Sequence, residues 1–131
     1  MPDPFAVKTV RLSMDICIRT GEKPADTDQG QADMLHLIAS LRIKPGTGAD
    51  VVAAATPCIL ATRKEEGCLR YEMFIDPMDE TNVVFVEEWE SRELLGRHIA
   101  TPHVAAWHQA GKPFIVSEKV EVIYPERTEI L

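Results

Sequence analysis

Three of the four histidines in the chain are spaced five residues apart, at His98, His103 and His108. Imidazole titrates near neutral pH, so each could serve as a general base or a metal ligand. On one continuous helix, however, a step of five residues turns the side chain to a direction ~140° away. Pro102 also interrupts the segment. We therefore expect no three-histidine metal site. His98 is either a general base lining a cavity or a structural histidine packed between helix and sheet.

A carboxylate lies between two aromatic residues on one face of a predicted strand. Phe85, Glu87 and Trp89 alternate along the segment, so their side chains share a face. A carboxylate on an apolar face must be paired, protonated or placed at a pocket mouth, which makes Glu87 a candidate site residue. Trp89 on its own would ordinarily be a core residue. Tyr71 on the neighbouring strand is also expected in the core, with a phenolic oxygen that needs a partner.

The three cysteines are far apart and form no C-x-x-C pair, at Cys17, Cys58 and Cys68. This usage predicts neither a disulfide framework nor a zinc knuckle, and it fits a reducing cytoplasm. No cation neighbours Cys68 in the sequence pattern, so an inert thiol is expected there. The sequence also contains no G-x-G-x-x-G, P-loop or G-x-S-x-G motif, which leaves no nucleotide or nucleophile-elbow signature of those kinds.

Hydrophobic periodicity divides most of the chain into four strands and two helical regions. The predicted strands cover residues 34–44, 68–76, 83–90 and 114–124, and the helical regions cover 47–66 and 91–111. A short polar turn at 77–82 makes the middle two strands an antiparallel hairpin. The order β-α-β-β-α-β predicts an α+β, ferredoxin-like domain.

Local signals define the helix ends. Thr47 is a predicted N-cap with Asp50 at the capping-box position, and Pro57 is expected to kink or split the first helix near Thr56. Gly67 supplies its stop. In the second helical region, Ser91 is a predicted N-cap, and a new helix starts at Thr101 and Pro102. The predicted helix boundaries depend on these cap signals.

The domain organisation follows from composition. Residues 1–33 form an N-terminal extension, with apolar and polar residues alternating over 7–19 and a polar linker over 20–33. Residues 34–124 form the folded domain, and residues 125–131 a polar tail. The extension could add an edge strand, cross to a partner subunit or cover a pocket.

Charge and hydropathy limit the classes of partner. The 131 residues contain 14 Lys and Arg against 21 Asp and Glu, for a net charge of −7. A nucleic-acid binder needs a basic face to neutralise phosphate, so nucleic acid is not an expected partner. No segment approaches the ~18–20 apolar residues of a membrane helix, and none resembles a signal peptide. We expect a cytoplasmic protein without membrane association.

Three segments together carry a family resemblance. KEEGCLRYE (64–72), VFVEEWES (84–91) and HIATPHVAAW (98–107) resemble matching segments of antibiotic biosynthesis monooxygenase (ABM) domain proteins, most closely the quinol-monooxygenase-like branch. The resemblance spans roughly residues 34–124. It implies a dimeric α/β barrel built from two ferredoxin-like domains, with a pocket in each subunit between sheet and helices.

The resemblance also implies a function and a set of site residues. Members oxidise quinols or phenols with molecular oxygen, and several need no metal, flavin or nicotinamide, so no cofactor is expected. His98 would be the base or hydrogen-bond partner for a phenolic oxygen, and Trp89 the pocket wall that stacks on the aromatic ring. Tyr71 and His103 would be secondary polar contacts, and Glu87 an orienting carboxylate.

Two further functions fit the same pocket. One is an isomerase or lyase acting on a small non-aromatic metabolite, and the other is a non-catalytic dimeric protein that binds a small ligand. Oxygen consumption distinguishes the monooxygenase from both. Whichever of the three functions applies, we predict a homodimer, because four strands with their helices leave one apolar face of the sheet uncovered.

Overall fold

A computed structural model describes residues 33–131 as a four-stranded antiparallel sheet and three helices. The strands are β1 (Leu35–Ile43), β2 (Cys68–Asp76), β3 (Asp79–Trp89) and β4 (Ile115–Ile123). The helices are α1 (Gly48–Thr62), α2 (Arg92–Ile99) and α3 (Pro102–Gly111). The order β-α-β-β-α-α-β and the strand order β2-β3-β1-β4 confirm the predicted ferredoxin-like fold. The strand predicted at 7–19 and the linker over 20–32 lie outside the described residues.

Alternation along the strands decides which side chains face the helices. Leu37 on β1 lies opposite Glu87, and the next residue of the same face, Ala39, lies opposite Phe85. These side chains are buried together with apolar residues of all three helices. Trp89 belongs to the same face and is fully buried. Glu87 and Trp89 thus share one face with Phe85, as the period-two pattern predicted, and this face is the one that packs on the helices.

The start and the middle of α1 differ from their predicted form. The Thr47 hydroxyl donates to the Lys44 carbonyl at 2.6 Å, and its side chain accepts no bond from the helix, so the capping box with Asp50 does not form. The helix is continuous through Pro57, so it does not split near Thr56, and the alternative of a kink there stays a prediction. Loss of one backbone donor at a proline is tolerated here because buried side chains on both sides of it pack the helix on the sheet.

The end of α1 also comes earlier than predicted, at Thr62 instead of Glu66. Residues 63–67 form a connection of turns that leads into β2. Gly67 closes this connection with φ of +86°, which favours glycine, and it lies directly against the Leu94 side chain. Glu65 therefore lies in a connection at the edge of the helical layer.

The β2–β3 hairpin has a tighter turn than the six-residue turn predicted at 77–82. β3 already begins at Asp79, which pairs with Asp76. Arg42 on β1 donates to Asp79 at 2.9 Å and to Thr81 at 3.1 Å. These contacts satisfy polar side chains at the end of the strand, so the ladder continues where composition alone indicated a loop.

The second helical region has the two predicted N-caps. The Ser91 hydroxyl accepts from the Leu94 N–H at 3.2 Å, and the Thr101 hydroxyl accepts from the Val104 N–H at 3.4 Å. The chain therefore changes direction at 100–101, between α2 and α3. His98 and the histidines that follow it consequently lie on different helices.

β4 is an edge strand with exposed apolar side chains. It pairs with β1, and Val116, Val120 and Val122 are more than one third exposed, as is Tyr124 just beyond its end. Among the helices of residues 33–131, none has the length and apolar character that crossing a bilayer requires. The exposed apolar surface of residues 33–131 thus includes β4, at the edge of the sheet.

Gly67→Ala should destabilise the protein more than Gly46→Ala does. Both glycines have positive φ, but a Cβ at Gly67 would lie 2.8 Å from Leu94 Cβ, whereas nothing lies within 4 Å of one at Gly46. The control variant therefore carries only the backbone strain of about 1–2 kcal/mol, and Gly67→Ala adds an overpacking cost of about 1–3 kcal/mol. Urea unfolding measures the difference, and equal losses in the two variants would contradict the role of Leu94.

Candidate functional site

A cavity of about 340 Å³ lies between the sheet and the helices α2 and α3. Its size is at the lower end of the range for ligand pockets and suits a molecule built around one or two rings. Most of its lining is apolar or aromatic. The polar side chains on its wall are Tyr71, Glu87, His98, His108 and Glu118. A mostly apolar pocket with a few polar groups is typical of a small-molecule site.

A triad of side chains, Glu65, His98 and His103, lies beside this cavity. Glu65 Oε2 is 2.8 Å from His98 Nδ1 and 2.6 Å from His103 Nε2. An ionised carboxylate only accepts hydrogen bonds, so both ring nitrogens are donors to it. In a neutral His98 the hydrogen is thereby held on Nδ1. Its Nε2 is then the nitrogen that carries the lone pair.

Aromatic rings hold the His98 imidazole in place. Its centroid is 4.6 Å from that of Trp89 and 5.4 Å from that of Tyr71, which meets it edge-on. Burial lowers the pKa of His98, although the hydrogen bond and the charge of Glu65 oppose this effect. A neutral imidazole of fixed orientation on a cavity wall has the properties of a general base.

Glu87 is the second carboxylate of the site, and unlike Glu65 it is buried. The indole Nε1 of Trp89 donates to its Oε1 at 2.9 Å. Burial raises the pKa of Glu87 to about 7, the Trp89 hydrogen bond opposes this, and the negative charge of Glu65 adds to it. Near neutral pH, Glu87 can thus act as a hydrogen-bond donor or as an acceptor toward a bound molecule.

Trp89 occupies a different place from the one implied by the family resemblance. It is fully buried and is not part of the cavity wall. Its ring packs on His98 and its Nε1 holds Glu87. In this arrangement Trp89 supports two side chains that do reach the cavity, and its stacking on a substrate ring stays a prediction.

Tyr71 reaches the cavity, and its hydroxyl lies 3.7 Å from Cys58 Sγ. Burial raises the pKa of Tyr71 far above its ordinary value, so it stays a neutral phenol. Burial likewise raises the pKa of Cys68 to about 12, which agrees with the inert thiol expected from the sequence.

The structure brings three of the five predicted site residues to one cavity: Tyr71, Glu87 and His98. His103 instead stays outside the lining and bonds to Glu65. The expectation that side chains five residues apart point in different directions assumed one continuous helix. It does not apply to His98 and His103, because they lie on α2 and α3.

Within α3 the expectation does apply, because His103 bonds to Glu65 whereas His108 lines the cavity. Sequence reasoning missed Glu65, His108 and Trp107 as parts of the site. The available signal for Glu65 was its position inside the motif KEEGCLRYE, and His108 and Trp107 lie on the cavity side of α3.

The triad is also a possible metal-binding group within residues 33–131. Each side chain offers one ligand atom, and these atoms all lie within 4.8 Å of one another. The sequence spacing predicted no metal site among the histidines. A site that includes a carboxylate from the connection before β2 could not be found from histidine spacing alone.

Comparisons with known proteins match the resemblance carried by the sequence motifs. Residues 34–110 match the family model described as "Antibiotic biosynthesis monooxygenase". The chain is 31% identical over 105 residues to "Probable quinol monooxygenase YgiN" of Escherichia coli (strain K12), covering 70% of this chain and 98% of that protein.

Solved structures agree with this match. A crystal structure described as an antibiotic biosynthesis monooxygenase is 31% identical with a TM-score of 0.63, covering 67% of this chain and 94% of that one. Protein SO0527 from Shewanella oneidensis is 28% identical with a TM-score of 0.65, covering 70% of this chain and 89% of that one.

Replacing Glu87 by glutamine should make stability less dependent on pH. Because the pKa of Glu87 is raised to about 7 in the folded state, the folded protein binds more protons than the unfolded chain between the two pKa values. Wild-type stability therefore falls as pH rises through that window. Relative to wild type, Glu87→Gln should gain about 1–3 kcal/mol of unfolding free energy between about pH 5 and about pH 8.

Urea unfolding at the two pH values measures this gain, and Glu66→Gln is the matched control. Its side chain is 79% exposed, so loss of its charge should not reproduce the effect. A constant difference between Glu87→Gln and wild type across the range would show that Glu87 titrates normally.

Proposed function

Because the chain belongs to the antibiotic biosynthesis monooxygenase family, we propose that it oxidises a small quinol or phenol with molecular oxygen. The observation that carries this proposal is the neutral His98 imidazole, which Glu65 orients at the wall of a largely apolar cavity. The match to a probable quinol monooxygenase supports the choice of substrate class.

The first chemical task is to remove a proton from the substrate. Triplet oxygen reacts slowly with closed-shell molecules, but a phenolate is electron-rich enough to pass one electron to it. We assign the proton to His98 Nε2, because Nδ1 already donates to Glu65. The imidazolium that forms would then be stabilised by the Glu65 carboxylate at 2.8 Å.

The electrons for the reaction come from the substrate itself. One oxygen atom is added to the quinol ring, the other leaves as water, and the ring is oxidised to a hydroxyquinone. A hydroquinone and one O₂ together contain the atoms of one hydroxyquinone and one water. No external reductant is required by this balance, which is consistent with the expectation of a reaction without a cofactor.

The remaining cavity residues would orient the substrate and exclude water. Glu87 can accept from, or donate to, a second phenolic oxygen, because its pKa of about 7 allows both forms near neutral pH. Tyr71 offers a neutral hydroxyl and Trp107 an aromatic wall. Apolar surroundings strengthen these polar contacts and keep bulk water from the reacting anion.

His98→Gln should lower the rate of oxygen uptake with a quinol substrate by about 10²–10⁴-fold, since this is what a positioned general base contributes. An oxygen electrode with metal-free protein and a panel of quinols and polyphenols measures it. Arg97→Gln is the control, because this neighbouring side chain is 63% exposed and belongs to surface ion pairs. Unchanged uptake in His98→Gln would remove His98 from the reaction.

The same assay separates the other functions open for this pocket. An isomerase or lyase would turn over its substrate equally well without oxygen. A protein that only binds a ligand would show substrate binding and no oxygen uptake from any member of the panel. Either result would contradict the proposed oxygenation.

We further propose that the protein is a homodimer in which two sheets form an α/β barrel. In support, all three helices pack on one face of the sheet, and Phe74 on its other face is 47% exposed. Ile38, Val84 and Val86 share this other face with Phe74 and are partly exposed. Monomeric proteins rarely expose large contiguous apolar patches.

Sedimentation equilibrium should therefore give twice the mass of the chain at micromolar concentration. Phe74→Lys places a charge on the proposed interface and should shift the equilibrium toward monomer. Met78→Lys, at a side chain that is 90% exposed in the β2–β3 turn, is the control. A monomer mass independent of concentration would contradict the dimer.

A further inference from the structure

Two ring nitrogens from different helices point at one common position beside the cavity. His98 Nδ1 on α2 and His103 Nε2 on α3 lie 2.8 Å and 2.6 Å from the same oxygen, Glu65 Oε2. Each of the three side chains offers one ligand atom, and these three atoms all lie within 4.8 Å of one another. Two imidazoles that converge on one carboxylate oxygen bring together the ligand types found around metals held by three protein ligands.

Only a small adjustment separates the hydrogen-bonded triad from a coordination shell. Metal–nitrogen bonds of about 2.0–2.1 Å require the cation to lie close to the position that the carboxylate oxygen occupies. Glu65 can move back because it lies in the 63–67 connection rather than in a helix or strand. His98 can stay in place, since its aromatic neighbours hold it.

The types of ligand atom select the class of cation. Imidazole nitrogen suits Zn²⁺, Co²⁺ and Fe²⁺, whereas Mg²⁺ and Ca²⁺ prefer shells made entirely of oxygen. The His103 side chain is 24% exposed and that of Glu65 15% exposed, which leaves a path from solvent and room for a water as a further ligand. The ligand class is thus a divalent first-row transition cation.

We propose that Glu65, His98 and His103 bind one divalent transition cation per chain. Binding replaces the two N–H···O hydrogen bonds by bonds from His98 Nδ1, His103 Nε2 and the carboxylate to the cation. A neutral imidazole bound through Nδ1 carries its hydrogen on Nε2. His98 then presents a donor to the cavity where it previously presented a lone pair.

The cation is therefore an inhibitor of the proposed reaction and not a cofactor for it. With its hydrogen on Nε2, His98 cannot accept the phenolic proton of a quinol. This consequence rests on the proposed function, whereas binding of the cation does not. The two statements therefore need separate measurements.

Titration of the metal-free full-length protein with Co²⁺ tests binding directly. Visible absorption reports a cobalt site with nitrogen ligands, and metal analysis after desalting gives the stoichiometry. We expect one Co²⁺ per chain, displacement by Zn²⁺, and no competition from Mg²⁺. His103→Gln should weaken binding by at least roughly the 10–100-fold that loss of an outer partner already causes. His108→Gln, the same substitution on the same helix outside the triad, should bind like wild type.

The outcomes distinguish the metal site from the proposed function. Absence of Co²⁺ absorption in wild type, or equal binding in wild type and His103→Gln, would overturn the metal site even if quinol oxidation is found. If both binding and oxidation occur, stoichiometric Zn²⁺ should abolish oxygen uptake and a chelator should restore it. Undiminished uptake by the zinc-loaded protein would overturn the inhibitory consequence.

Discussion

The arrangement of the site depends on one carboxylate oxygen, Oε2 of Glu65, which accepts from two histidines. Glu65 belongs to the connection before β2, His98 to α2 and His103 to α3, so the oxygen joins three segments that are remote in sequence. Charge-assisted hydrogen bonds are stronger and more directional than neutral ones. The relative placement of the two short helices is therefore coupled to the protonation and tautomer of the histidine that faces the cavity.

The two carboxylates of the site differ because their surroundings differ. Glu65 receives two N–H donors at its partly exposed position, whereas Glu87 is buried with the Trp89 indole as its hydrogen-bond donor, and its pKa is raised to about 7. The two carboxylates can therefore take different roles, with Glu65 orienting a histidine and Glu87 able to exchange a proton near neutral pH. Trp89 links these roles, because it contacts His98 with its ring and Glu87 with its Nε1.

Much of the fold and part of the site could be predicted from the sequence. Strand alternation placed Glu87 and Trp89 on one face together with Phe85, and caps at Ser91 and Thr101 located the break between two helices. Contacts across the fold could not be predicted, since residues 65 and 98 meet only after β2 and β3 have brought the chain back. The helix does not split at Pro57, because local propensity yields to packing over the whole helix.

The edge position of β4 gives the cavity walls of unequal stiffness. Val120 and Glu118 form one side of the cavity, and within the described residues their strand pairs with β1 alone. Phe85 and Glu87 form the opposite side on β3, which is bonded to a strand on each edge. Displacing β4 breaks one ladder and displacing β3 breaks two. Thermal motion of β4 thus widens the pocket at the sheet edge, whereas the β3 side, which holds Glu87, keeps its geometry.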